Sequence, residues 1–167
     1  MNKFGTSSLK KLSLANDTIQ KVMELAIQRS LVDITIVQTY RPPTVQFGYY
    51  QQGRQQSTSG WIITDKSKVI TNVDGYKIVG KHNKQPAEAV DIRAYHSNPK
   101  IDKMIAYDKL HLAYIAGTII SCAEELFKKG EIKELIRWGG NWDKDGELYF
   151  DQKLEDLPHF ETYLPKK

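Results

Sequence analysis

Apolar residues recur at helical spacing in two stretches of the chain and cluster in short runs elsewhere. In the first stretch Ile19, Val22, Met23, Ala26 and Ile27 share one helical face, with Asp17 placed to cap the start. Residues 33–39 are rich in β-branched side chains and predict a core strand that delivers Arg41 at its C-terminal end, where Pro42 and Pro43 stop it. A short helix over 45–52 follows, closed by Gly53, and residues 54–60 read as a polar loop. The runs 61–63 and 68–71 flank a charged turn at 65–67, which predicts a hairpin fringing a cleft. A strand over 87–92 carries Asp91, with Pro86 tolerated near its start. The longest element is a helix over 105–129, the central packing element: Leu112, Ile115, Ala116, Ile119, Ala123 and Leu126 form its stripe, and Gly130 is a natural stop. Two strands close the chain, 135–138 and 159–164. Alternation in the second sets His159, Glu161 and Tyr163 on one face and Phe160, Thr162 and Leu164 on the other. The pattern as a whole predicts an α+β fold with a small, mainly antiparallel sheet.

Composition adds boundaries to that picture. With 167 residues and 40% hydrophobic content, a single domain spanning 1–167 can bury a sizeable core without cross-links. The one cysteine, Cys122, excludes an internal disulfide, and its setting among Ile119, Ala123 and Leu126 predicts a buried thiol rather than a nucleophile. No run of about twenty apolar residues predicts a membrane span, and residues 1–9 lack the apolar core of a signal peptide. The protein is therefore expected in the cytoplasm of the cell that makes it, without membrane insertion and as a monomer. A net charge of +4 favours anionic polymers such as the cell wall and equally permits weak nucleic-acid binding, with no specific nucleic-acid partner indicated.

Candidate chemistry sits in two distant segments, one running from Gly80 to Ile92 and the other Asp156-Leu157-Pro158-His159-Phe160-Glu161. Two histidines and a carboxylate make a three-ligand set, the usual way of holding a catalytic zinc whose fourth position stays open for water. Asp156, three residues before the second histidine, brings a further carboxylate close by. A histidine followed by an aspartate is a weak signal by itself, since either can be a satisfied polar group at a strand end.

The combination is specific where its parts are not. The run K-H-N-x-x-P-x-x-A-V-D-I, a distant W-G-G-x-W and D-L-P-H-F-E together resemble the zinc peptidases of the D-Ala-D-Ala carboxypeptidase superfamily, in the branch of phage L-alanyl-D-glutamate endolysins. The resemblance extends from Phe4-Gly5 through Leu164, and it implies a D-Ala-D-Ala carboxypeptidase/hedgehog-like domain with a zinc site in a cleft. Carried over residue by residue, it implies one Zn2+ per chain held by His82, Asp91 and His159, with Asp156 as general base. It further implies that Arg41 binds substrate and steadies the developing oxyanion, and that Gln46 is a second substrate-binding residue. Many members carry serine two residues before the first histidine, where this chain has Gly80. The two extra residues between His82 and Asp91, against the shorter H-x-x-G-x-A-x-D form, match the phage-type variant.

The implied reaction is hydrolysis of the L-Ala-D-Glu bond in peptidoglycan stem peptides, serving host lysis either as a free lysin or from within a virion. A D,D-carboxypeptidase or dipeptidase is the alternative within the class, because a metal site does not encode stereochemistry. Outside it stands a non-catalytic module binding wall polymer or nucleic acid through basic charge and aromatics. A structural zinc would normally be closed by four ligands, and neither a cysteine cluster nor a fourth ligand stands out. Glu155 competes with Asp156 for the role of base, and Glu161 is either a support of His159 or a solvated charge. His96 and His111 read as surface or helix-face histidines. Asp143-Lys144-Asp145-Gly146 has the start of a calcium loop, but Leu154 stands where its closing glutamate belongs. Trp138 and Trp142 read as cleft walls or core, and the glycines between them as room for a peptide.

Overall fold

Residues 1–148 and 155–165 are described by a computed structural model. Its helices are α1 (Thr6–Leu12), α2 (Asp17–Arg29), α3 (Pro43–Tyr50), α4 (Pro99–Ile105) and α5 (Lys109–Lys128). Its strands are β1 (Asp33–Gln38), β2 (Arg54–Ser57), β3 (Gly60–Ile63), β4 (Ala89–Tyr95), β5 (Leu135–Gly139) and β6 (Asp156–Tyr163). Four of them pair antiparallel in the order β1-β4-β6-β5, and β2 and β3 form a separate hairpin. This is the predicted α+β architecture.

Strand alternation gives that sheet two unlike faces. Val90, Ile92 and Ala94 of β4 are buried, as are Ile34 and Ile36 of β1, Ile136 and Trp138 of β5, and Phe160 of β6. They pack with α2 and α5, whose Ile19, Val22, Met23, Leu112, Ile115 and Ile119 complete the core. Each such aliphatic side chain contributes about 1.5–3 kcal/mol on burial. The opposite face carries Asp91, Arg137, His159 and Glu161.

Several element boundaries differ from expectation for identifiable reasons. Asn16, not Asp17, caps α2, because its side chain accepts from Ile19 N at 3.0 Å and leaves Asp17 as the first helical residue. The long helix expected over 105–129 is α5, which starts four residues later because Asp108 accepts from His111 N at 3.0 Å, while Ile105 ends the separate α4. α5 is long and apolar enough to cross a membrane by length and composition, but its apolar stripe is buried against α2 and the sheet, as in a core helix. The hairpin pairs Arg54 with Ile63 and Ser57 with Gly60, so the expected polar loop is its first strand. Residues 66–68, placed within its turn and second strand by the sequence, form a 3-10 turn capped by Asp65. Backbone pairing and the buried Arg54 hold this hairpin, and apolar patterning cannot register either. β6 begins at Asp156, three residues earlier than expected.

Candidate active site

The three expected ligands arrive from separate segments. Asp91 and His159 are direct cross-strand partners on β4 and β6. His82 lies in a 3-10 turn, Lys81–Asn83, that is stitched to the end of β1. Arg41 N donates to His82 O at 2.8 Å, and Asn83 Nδ2 donates to Arg41 O at 2.9 Å. His82 Nδ1 donates to Thr39 O at 2.6 Å.

These anchors leave three atoms facing one another. His82 Nε2 lies 3.1 Å from Asp91 Oδ1 and 3.2 Å from His159 Nδ1, and the latter two are 3.0 Å apart. The outer nitrogens are committed, His82 Nδ1 to Thr39 O and His159 Nε2 to Glu161 Oε2 at 3.2 Å. With those tautomers assigned from their bonds, three lone-pair atoms converge, which calls for a proton or a metal cation between them. Atoms bound tetrahedrally at zinc distances lie about 3.3 Å apart, so the triangle suits such an ion. His82, Asp91 and His159 are thus a set able to hold a metal.

Electrostatics agree with that arrangement. Burial works against ionisation of Asp91, but its close contacts with His159 and His82 outweigh it and hold the carboxyl well below the usual range. Burial likewise opposes the charging of His159, yet the Asp91 and Glu161 carboxylates push it up to about 9. Glu161, despite burial, is drawn down to about 2 by His159 and Arg137.

A bulge aims Asp156. Trp138 pairs with Phe160 but Gly139 pairs with Asp156, so β6 takes four steps where β5 takes one. Pro158 sits within the bulge, where a missing N–H is tolerated. The extra residues reverse strand parity and bring Asp156 into the cleft that His159 lines. Burial there pushes its carboxyl up. Glu155 points elsewhere, paired with Lys109 at 2.7 Å.

Gly139 and Gly140 serve the protein's own packing rather than an approaching peptide. A Cβ at Gly139 would collide with the Asp156 carbonyl, and one at Gly140 with the Trp138 ring. Trp138 is core and donates Nε1–H to Leu157 O at 2.7 Å, whereas Trp142 lies against His159 with ring centroids 5.3 Å apart.

Arg41 is held from several sides. Its Nε donates to Gln38 Oε1 at 2.6 Å, Nη1 to Gln46 Oε1 at 2.9 Å, and Nη2 lies 3.3 Å from Asp91 Oδ2. Tyr49 stacks on the guanidinium. Gln46 is 3% exposed, and its amide also donates to Val73 O at 2.9 Å, so it ties Arg41 to the loop beyond the hairpin. That loop, with Ile70, Val73 and Val79, walls a cleft of about 460 Å³ in place of the hairpin itself. A larger cavity of about 550 Å³ between α5 and β5 contains none of His82, Asp91, Asp156 or His159.

Two supporting residues escaped the sequence: Gln38, which braces Arg41, and Arg137, which pairs with Glu161 at 2.6 Å. The alternation Ile136-Arg137-Trp138 was the available signal for Arg137. His96 and His111 bond locally to Asn98 and Asp108. Asp145 accepts from Glu147 N in an exposed turn, and Leu154 lies outside the described residues.

No curated protein matches the sequence. The fold is similar to a crystal structure of the Serratia marcescens L-Ala D-Glu endopeptidase ChiX, with a TM-score of 0.61 and 19% identity, covering 97% of this chain and 91% of that one. Residues 1–163 match the family described as phage L-alanyl-D-glutamate peptidase. By that match over nearly all of its length, the chain belongs to the phage L-alanyl-D-glutamate peptidases.

Proposed function

We propose that this peptidase is a zinc endolysin that hydrolyses the L-Ala-D-Glu bond of peptidoglycan stem peptides, with the ion held by His82 Nε2, Asp91 Oδ1 and His159 Nδ1. The observation that carries the zinc reading is the convergence of three lone-pair atoms within 3.0–3.2 Å, their outer nitrogens bonded elsewhere. When bound, zinc polarises the scissile carbonyl and makes water acidic enough to attack it near neutral pH. Asp156 takes a proton from the attacking water and passes it to the departing D-glutamate amine. Its burial favours the proton-holding form and so suits a group that must carry a proton between steps. Arg41 receives the carbonyl oxygen as negative charge develops, and Gln38 and Gln46 set its guanidinium beforehand. Gln46 contributes to substrate binding through that support. Trp142 offers a flat wall to the stem peptide.

The reading takes the chain to act as a monomer, and the +4 charge supports residence on an anionic wall. Synthesis in the host cytoplasm followed by action on the wall after release completes the reading, with no membrane insertion.

The purified protein is expected to carry about one zinc per chain, to lose cleavage on chelation and to regain it with added zinc. Mass spectrometry of digested peptidoglycan should find new D-glutamate amino termini. Release of terminal D-alanine instead would move the chain to the carboxypeptidases, and full activity in a rigorously metal-free preparation would sink the zinc assignment.

A further inference from the structure

Arg137 does more than pair with Glu161, because its guanidinium touches two of the groups that surround His159. On one side it meets Glu161, its cross-strand partner between β5 and β6. Nε and Nη2 both donate to Glu161 Oε1, at 3.0 and 2.6 Å, which leaves Oε2 turned to His159 Nε2 at 3.2 Å. On the other side the guanidinium stacks 5.2 Å from the Trp142 ring centroid and Nη1 donates to Trp142 O at 3.4 Å. Trp142 in turn lies against His159.

We propose that Arg137 is the positioning residue of the metal site, fixing His159 from two directions: through Glu161, which sets the ring's tautomer, and through Trp142, which sets its plane. The proposal rests on the zinc reading above. A carboxylate with one oxygen held by a two-pronged guanidinium cannot rotate freely, so its other oxygen presents a fixed acceptor to His159 Nε2–H. That bond keeps the Nδ1 lone pair facing His82 and Asp91. Outer partners of this kind typically alter metal affinity by ~10–100-fold when removed. Lysine at this position would keep the charge but lose both the fork and the flat surface beneath Trp142.

The test measures zinc dissociation constants by chelator competition for wild type, Arg137→Met, Arg137→Lys, Glu161→Gln and the Arg137→Met/Glu161→Gln double variant, with melting of each metal-free protein alongside. Arg137→Met and Glu161→Gln are each expected to weaken zinc by ~10–100-fold. The double variant should be no more than about threefold worse than the weaker single, because most of the Arg137 effect passes through the Glu161 bond to His159 and only the Trp142 contact remains to be lost. Arg137→Lys should fall at least about fivefold below wild type, and it decides the matter if the methionine variant does not fold. Wild-type zinc affinity in Arg137→Met or Arg137→Lys, or a double variant whose losses multiply, overturns the positioning role while leaving the zinc reading intact. A wild-type chain that binds no zinc overturns both.

Discussion

Asp156 and Glu155 are adjacent carboxylates with opposite surroundings, and that contrast makes the strongest residue-scale prediction. Asp156 lies in the cleft with its carboxyl pushed up by burial, while Glu155 is drawn toward the start of α5 by Lys109. Asp156→Asn is nearly isosteric and should keep fold and zinc while the rate of peptidoglycan cleavage falls by roughly 10²–10⁴. Glu155→Gln should remain close to wild type, and His159→Ala should lose zinc and activity together. An inactive Glu155→Gln beside an active Asp156→Asn would reverse the assignment. Arg41→Ala should reduce kcat/KM by about 10²–10³ with zinc retained, as loss of an oxyanion donor does. Loss of zinc from that variant would instead make Arg41 a structural prop of Asp91, which it approaches at 3.3 Å. Resemblance to known motifs made these residues legible in the sequence. Gln38 and Arg137 were not, because what they do depends on cross-strand neighbours that a linear pattern does not name.

At the scale of elements, the sequence yielded the amphipathic helices and the β-branched core strands, since burial imposes periodicity on both. It set the hairpin one strand too late, since β3 carries apolar residues but β2 is polar, and it did not yield the bulge in β6, which violates the period of two that defines a strand. That bulge places the proposed base, and Gly139 is what lets β5 run beside it. Gly139→Ala would press a methyl group into the Asp156 carbonyl, so one of the two backbones must move. The expected outcome is a stability loss of about 1–3 kcal/mol, seen in thermal melting, together with a larger fall in kcat than in zinc content. A variant that melts and cleaves like wild type would show that β6 has slack at the bulge. The far wall of the cleft rests on a comparable fit: Gly75, at φ +81°, abuts the Gln46 side chain, so the loop that carries Val73 and Val79 closes against Arg41's support.

Across the whole molecule, the site joins His82 to His159, 77 positions apart in sequence, so what occupies it bears on global stability. Any ion that binds the folded chain alone stabilises it, by about 2.7 kcal/mol at a hundredfold excess over the dissociation constant. In the metal-free protein a proton on His159 takes the ion's place, since the neighbouring carboxylates push that group from 6.5 up to about 9. A folded-state pKa raised in this way stabilises the metal-free fold fully below pH 6.5, and the contribution fades as pH rises through about 9. Zinc must displace that proton, so its apparent affinity should climb by up to about tenfold per pH unit over this window and level off above it. The melting gap between zinc-loaded and metal-free protein should therefore widen from pH 6.5 to about pH 9. Thermal melts in metal-buffered and chelator-treated samples across that range measure it directly. A gap that stays constant or narrows would mean that His159 sheds its proton before zinc arrives, and that the convergence of Asp91 and Glu161 on its ring does not hold a charge there.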